Sequence, residues 1–169
     1  MNAHVPEAGG ERHAAIRPVH RGDRAALLRL VEATGVFSED ELTIALELID
    51  TALDVPDQHD YVINVYDDGS VSGYYCVGPT PATLGTFDLY WIAVSPERHG
   101  RGIGAALIRH AEDLLRAQGG RLVMVETSSQ PRYEATRRFY VHAGYAELAR
   151  IAGYYRPGDD LVIYGKYLS

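Results

Sequence analysis

The 169 residues carry 46% hydrophobic and 23% charged side chains, a balance that fits a single globular domain with a real core rather than a disordered chain. Acidic residues outnumber basic ones 23 to 16, a formal charge of -7 that argues against electrostatic attraction to nucleic acid or anionic lipid. Cys76 is the lone cysteine, which excludes an internal disulfide, and the seven histidines show no paired spacing for a metal, so no metal is expected.

The opening MNAHVPEAGGERH lacks a basic stretch followed by an apolar run, and no segment approaches the ~20 apolar residues of a membrane span. A flexible tail over 1–13, a domain over 14–169 and a cytoplasmic protein without membrane partners are expected. Ala14 to Val19 predicts a first strand, and Leu27, Leu28, Leu30 and Val31 recur at helical spacing until Gly35. Ser38-Glu39-Asp40-Glu41 has the form of a capping box ahead of an apolar face built from Leu42, Ala45, Leu46, Ile49, Ala52 and Leu53, a second helix.

Tyr61 to Tyr66 and Val71 to Val77 are rich in β-branched and aromatic residues around Asp67-Asp68-Gly69-Ser70, and predict an antiparallel hairpin. After Pro79-Thr80-Pro81, a fourth strand over Thr86 to Val94 runs into Ser95-Pro96 and a glycine loop, His99-Gly100-Arg101-Gly102-Ile103-Gly104. A helix over Ala105 to Ala117, a strand over Leu122 to Thr127, a helix over residues 132 to 143 and strands near Tyr145 to Ile151 and Leu161 to Tyr167 complete the chain. Loop 153–160 is left between the last two strands.

A strand that turns through glycines into a helix aims several unpaired amide N–H groups and the positive end of the macrodipole at one point, so the loop is a candidate anion site. Arg101 adds a charge-assisted contact. The spacing is not that of a dinucleotide-binding Gly-x-Gly-x-x-Gly turn, and no Gly-Lys-Ser/Thr follows for a nucleotide triphosphate.

The stretch Trp91 to Leu107 closely resembles motif A of the GNAT acetyltransferases, Gln/Arg-x-x-Gly-x-Gly/Ala, with His99 where Gln or Arg is usual and Gly102 and Gly104 in place. About 35 residues on, Arg138-Phe139-Tyr140-Val141-His142-Ala143-Gly144-Tyr145 resembles the end of motif B, although Tyr133 stands where Asn is common. The resemblance implies an α/β GNAT fold, a mixed, mostly antiparallel sheet of about seven strands with four helices. It further implies acetyl-CoA as cosubstrate, held by Ile92, Ala93, Val94, His99, Gly100, Arg101, Gly102, Ile103, Gly104 and Ala105, and an acetyl acceptor of the amine class. GNAT domains often dimerise, so a homodimer is a further expectation.

Acetyl transfer requires a neutral amine, a polarised carbonyl and a proton for the leaving thiolate. Tyr140 holds the family position from which a phenol supplies that proton. Asp88 on the fourth strand matches the position of a catalytic glutamate in histone-type relatives, and Glu126 near the end of the fifth strand is a second candidate base. Tyr154 and Tyr155 resemble the Tyr-Tyr segment of ribosomal-protein N-terminal alanine acetyltransferases and are the candidate acceptor-binding residues. A small amine or amino-acid-like acceptor is expected, with a protein N-terminus as the alternative and a non-catalytic coenzyme-binding sensor as the reading from another class. Cys76 on an apolar strand is expected in the core, and Arg137 and Arg138 suit either coenzyme phosphate or a helix C-terminus.

Overall fold

The computed structural model describes residues 14–55 and 57–169; the expected tail over 1–13 lies outside the described residues. Seven strands, β1 (Ala15–Pro18), β2 (Val62–Asp67), β3 (Val71–Pro79), β4 (Thr86–Val94), β5 (Leu122–Ser128), β6 (Ala146–Arg156) and β7 (Asp159–Tyr167), form one sheet in the order β1-β2-β3-β4-β5-β7-β6. All neighbours run antiparallel except β4 and β5. Four α-helices, α1 (Arg24–Ala33), α2 (Glu39–Asp54), α3 (Ile103–Ala117) and α4 (Glu134–His142), cover its two faces.

Alternation along the strands divides the core in two. Ile63, Val65, Tyr74, Cys76 and Ala93 face α1 and α2, meeting Leu27, Leu30, Val31, Ala45 and Ile49. Tyr75, Val77, Phe87, Leu89, Val123, Val125 and Val162 face the other way, onto Ile103, Leu107, Ile108 and Leu115 of α3 and Tyr140 of α4. Helix α2 begins as its sequence dictates: Glu41 N–H donates to the Ser38 hydroxyl and Ser38 N–H donates to the Glu41 carboxylate, two otherwise unpaired donors satisfied reciprocally. Short β1 is pinned by Arg17, whose guanidinium donates to both Asp23 and Asp67.

Strand β4 carries the two irregularities that matter for function. Cys76 pairs with Trp91 and Val77 with Leu89, so Tyr90 is an extra residue, a β-bulge that resets the alternation of the strand. Parallel pairing with β5 is confined to Thr86, Phe87 and Asp88 against Leu122, Val123 and Met124. Beyond that point the strands part, and a wedge opens in the middle of the sheet.

Several elements run longer than the sequence predicts. The last two strands extend through Arg156 and from Asp159, because the turn is made by Pro157-Gly158, with Gly158 at φ 82°, and the Gly153 region is a bulge within β6. Helix α3 starts earlier than expected, at Ile103, whereas α4 is shorter than the expected 132–143: it spans Glu134–His142, because Pro131–Tyr133 form a 3₁₀ turn ahead of it.

Candidate active site

Two cavities, each of about 500 Å3, open at the wedge and share Ile92 and Thr136 in their walls. One lies between β4, the loop ahead of α3, and α4. The other lies between the start of α2, the bulged part of β4, the end of β5 and the β6–β7 hairpin.

The first cavity gathers Ile92, Ala93, Val94, His99, Gly100, Gly102, Ile103, Gly104 and Ala105, nine of the ten residues expected at the coenzyme. Arg101 does not line it; Arg98 does, with its guanidinium 3.2 Å from Asp68. The first intrahelical bond of α3 runs from Ala106 N–H to Gly102 C=O, which leaves the amides of 103–105 without helical partners at the positive end of the dipole. The glycines serve different needs. Gly100 and Gly102 adopt φ of 75° and 77°, where a side chain is strained although the space is open, whereas a Cβ on Gly104 would come within 3.1 Å of the Phe139 ring. His99 turns back along the chain: its Nε2 is 3.0 Å from the Val94 carbonyl, which only accepts, so that nitrogen carries the proton. The imidazole thus ties the loop to the end of β4, a role that the Gln or Arg of the usual pattern does not announce.

Tyr140 lines the second cavity while only 5% exposed, seated against Phe139, Tyr145 and Tyr164 at ring distances of 5.5, 5.9 and 6.1 Å. Burial pushes its phenol well above the ordinary value, so it stays protonated and able to donate. Glu126 lines the same cavity. Asp88 lines neither; it sits where β4 and β5 still pair and accepts a hydrogen bond from Thr80 Oγ1 at 2.7 Å. Of the two candidate bases, the wedge therefore brings only Glu126 together with Tyr140.

The β6 bulge separates the two candidate acceptor tyrosines. Gly153, at φ 61°, donates its N–H to Asp160 at 2.9 Å, and the register jumps from Ile151 to Arg156. Tyr155 lines the cavity, whereas Tyr154 stands outside it, edge-on to Tyr155 at 5.0 Å. Burial, then the nearby Glu126 carboxylate, pushes the Tyr155 phenol up to about 12.

Other walls were not legible as site residues. Phe37 and Trp91 pack with ring centroids 4.6 Å apart and planes tilted by 41° on the α2 side, and the indole Nε1 is buried without a hydrogen-bond partner. Tyr133 donates to Glu41 at 2.5 Å, linking the starts of α4 and α2 across 92 residues of chain. Its departure from the usual Asn was the signal, but nothing in the sequence tied it to a capping glutamate. Arg137 is occupied by the carbonyls of Ser128 and Gln130 at 2.6 and 3.0 Å, and Arg138 by Glu134, so both shape the chain around α4. Cys76 is buried in the core and burial pushes its thiol up to about 12, far from a reactive thiolate. Among the described residues no cluster of His, Cys, Asp or Glu is placed to hold a metal, and no helix is long and apolar enough to cross a membrane.

A wedge between parallel strands, with a glycine loop leading into a helix on one side of it, is the framework of an acyltransferase of the α/β class. Residues 25–145 match the acetyltransferase (GNAT) family, and the chain belongs to that family. It is similar to a GNAT-family protein of Desulfovibrio desulfuricans at 42% identity and a TM-score of 0.88, over 93% of this chain and 100% of that one. At lower identity the likeness shows the fold alone. The ribosomal-protein-S18-alanine N-acetyltransferase of Escherichia coli is 20% identical with a TM-score of 0.72, covering 93% and 95% of the two chains. A Salmonella typhimurium protein held with its cofactor acetyl-CoA is 18% identical with a TM-score of 0.68, covering 93% and 95%. No curated protein matches the chain.

Proposed function

We propose that this acyltransferase moves the acetyl group of acetyl-CoA to the primary amine of a small or amino-acid-like acceptor by direct attack in a ternary complex. The observation that carries the reading is that two cavities, one at the glycine loop and one holding Tyr140 and Glu126, meet at Ile92 and Thr136. The residues fit the coenzyme. Free amides of 103–105 suit a pyrophosphate, and the apolar Ile92, Val94 and Phe139 suit the chain that connects it to the thioester. The Salmonella relative held with acetyl-CoA supports the same choice.

At the junction, Glu126 takes a proton from the acceptor ammonium, directly or through water, and frees the nitrogen lone pair. The C–N bond forms as the C–S bond breaks, and Tyr140 donates its proton to the departing sulfur. Backbone N–H groups of β4 beyond the Tyr90 bulge are the donors available to the thioester carbonyl. Cys76 takes no part, since direct transfer needs no acetylated enzyme. Thiol release from acetyl-CoA measured over amino acids, diamines, aminoglycosides and N-terminal peptides tests the reading. Turnover with a small amine supports it; preference for a peptide N-terminus shifts the acceptor class, and coenzyme binding with no turnover on any amine overturns it in favour of a sensor.

A further inference from the structure

The charged groups around the acceptor cavity are not equivalent. Four carboxylates, Asp40, Glu41, Glu126 and Asp159, face two guanidiniums, Arg132 and Arg156. Both arginines already have acidic neighbours, Arg156 lying 3.7 Å from Asp159 and Arg132 4.0 Å from Glu41 and 5.0 Å above the Tyr133 ring. Asp159 and Glu41 are held further, by Ser128 and Gln130 and by Ser38 and Tyr133 respectively. Asp40, in the first turn of α2, and Glu126 are exposed and have neither hydrogen bond nor ion pair among the described residues, so the two charged side chains of the cavity without a side-chain partner are both negative.

Two further features say what lies between them. Tyr140 is more than nine-tenths buried, faces the cavity and has no hydrogen-bond partner for its hydroxyl among the described residues, which marks the reacting end beside Glu126. Asp40 stands one helical turn before Ile44 on α2 and lines the same cavity as the tilted pair Phe37 and Trp91, so the wall combines apolar surface with a carboxylate. Aromatic faces beside a carboxylate hold an ammonium by charge and by cation–π attraction, and the wall covers methylenes. A carboxylate on the acceptor would have to displace an existing partner of an arginine while facing two free acids.

We infer that the acceptor is a dication, an α,ω-diamine in type, whose reacting amine sits at Glu126 and Tyr140 while a distal ammonium is held by Asp40 against Phe37 and Trp91. This rests on the acetyl transfer proposed above and narrows its acceptor. The distal amine keeps its proton. The reacting ammonium loses one proton through Glu126 to solvent; on forming the amide it loses a second, which restores the Tyr140 hydroxyl after that group has protonated the departing thiolate, so one proton is released overall.

The test compares, with saturating acetyl-CoA, α,ω-diamines of three to six carbons with the n-alkylamine and the ω-amino acid of each length. Expected is a kcat/KM for the best diamine about tenfold above its alkylamine, which corresponds to about 1.4 kcal/mol of ion pairing, with the amino acid lowest. Asp40→Asn brings the diamine-to-alkylamine ratio close to one. Calorimetric titration with the same compounds gives a reading independent of turnover, and the diamine affinity falls as salt rises. An alkylamine or amino acid as good as the diamine, or an unchanged ratio in Asp40→Asn, overturns the inference. Diamine-selective binding without turnover of any amine would instead leave the dication site standing and overturn the transfer reading.

Discussion

Lys166→Met removes an ammonium on which three elements converge. Lys166 Nζ donates to both oxygens of Glu112 on α3, at 2.8 and 2.9 Å, and to the Ala143 carbonyl at the end of α4, at 2.8 Å. Glu112 is only 3% exposed, so the methionine would leave a buried carboxylate without its principal partner. Removing one member of a buried pair costs ~3–5 kcal/mol; Arg116, 3.6 Å from Glu112, and the partial exposure of Lys166 place the cost near ~3 kcal/mol. For a chain of this size that lowers Tm by roughly 6–12 °C. Replacing both, Glu112→Met with Lys166→Met, should recover stability to within ~1 kcal/mol of the parent, because no charge then stays buried alone. Urea unfolding followed by circular dichroism, checked by scanning calorimetry, measures both proteins. A single-variant loss under ~1 kcal/mol, or a double variant less stable than the single, refutes the reasoning.

Tyr140→Phe should lower turnover by ~100-fold and leave coenzyme affinity within about twofold, because the ring and its three aromatic neighbours stay in place; unchanged turnover removes the phenol from the acid role. Since burial raises that phenol, the donor form persists, and the rate profile should show no alkaline limb from it below about pH 10. His99→Ala strips the Val94 carbonyl of its donor and should weaken coenzyme binding about fivefold, roughly the ~1 kcal/mol of one hydrogen bond, while His99→Gln restores a donor; calorimetry with coenzyme A reads both. Burial favours protonation of Asp23, but hydrogen bonds from Arg17 and the His20 amide outweigh it, and Arg17 also holds Asp67 below the usual carboxylate range. A depressed acid contributes stability that is present above the unfolded value near ~4 and is lost as pH falls through the folded value. Arg17→Met should therefore flatten the dependence of unfolding free energy on pH in that acid window, and parallel slopes for the two proteins would count against the network.

Elements defined by local patterns were legible in the sequence: Ser38 and Glu41 cap α2 reciprocally, Thr86 and Val94 bound β4, and the glycine loop sits between β4 and α3. Relations across the chain were not. Asp88 was read by its position on the fourth strand, but a position along the chain contains neither the Tyr90 bulge nor the point at which β4 and β5 cease to pair, and those two facts set which carboxylate reaches the wedge. Tyr154 and Tyr155 read as one pair, although an irregular strand turns one into the cavity and leaves the other outside. Glu41 read as a cap and nothing more; its bond to Tyr133 exists only because the sheet brings two helix starts together.

The parting of β4 from β5 also means that this molecule carries a sheet edge in its interior. Outer edges are guarded by charges, prolines or bulges, and by such devices natural proteins avoid adhering to one another. On the function proposed above, the inner edge stays open for the coenzyme, so its guard is occupancy. If acetyl-CoA fills that wedge as proposed, it stabilises the fold through mass action, by ~2.7 kcal/mol at a hundredfold excess over Kd, and resistance to heat and proteases becomes a gauge of the coenzyme around the protein.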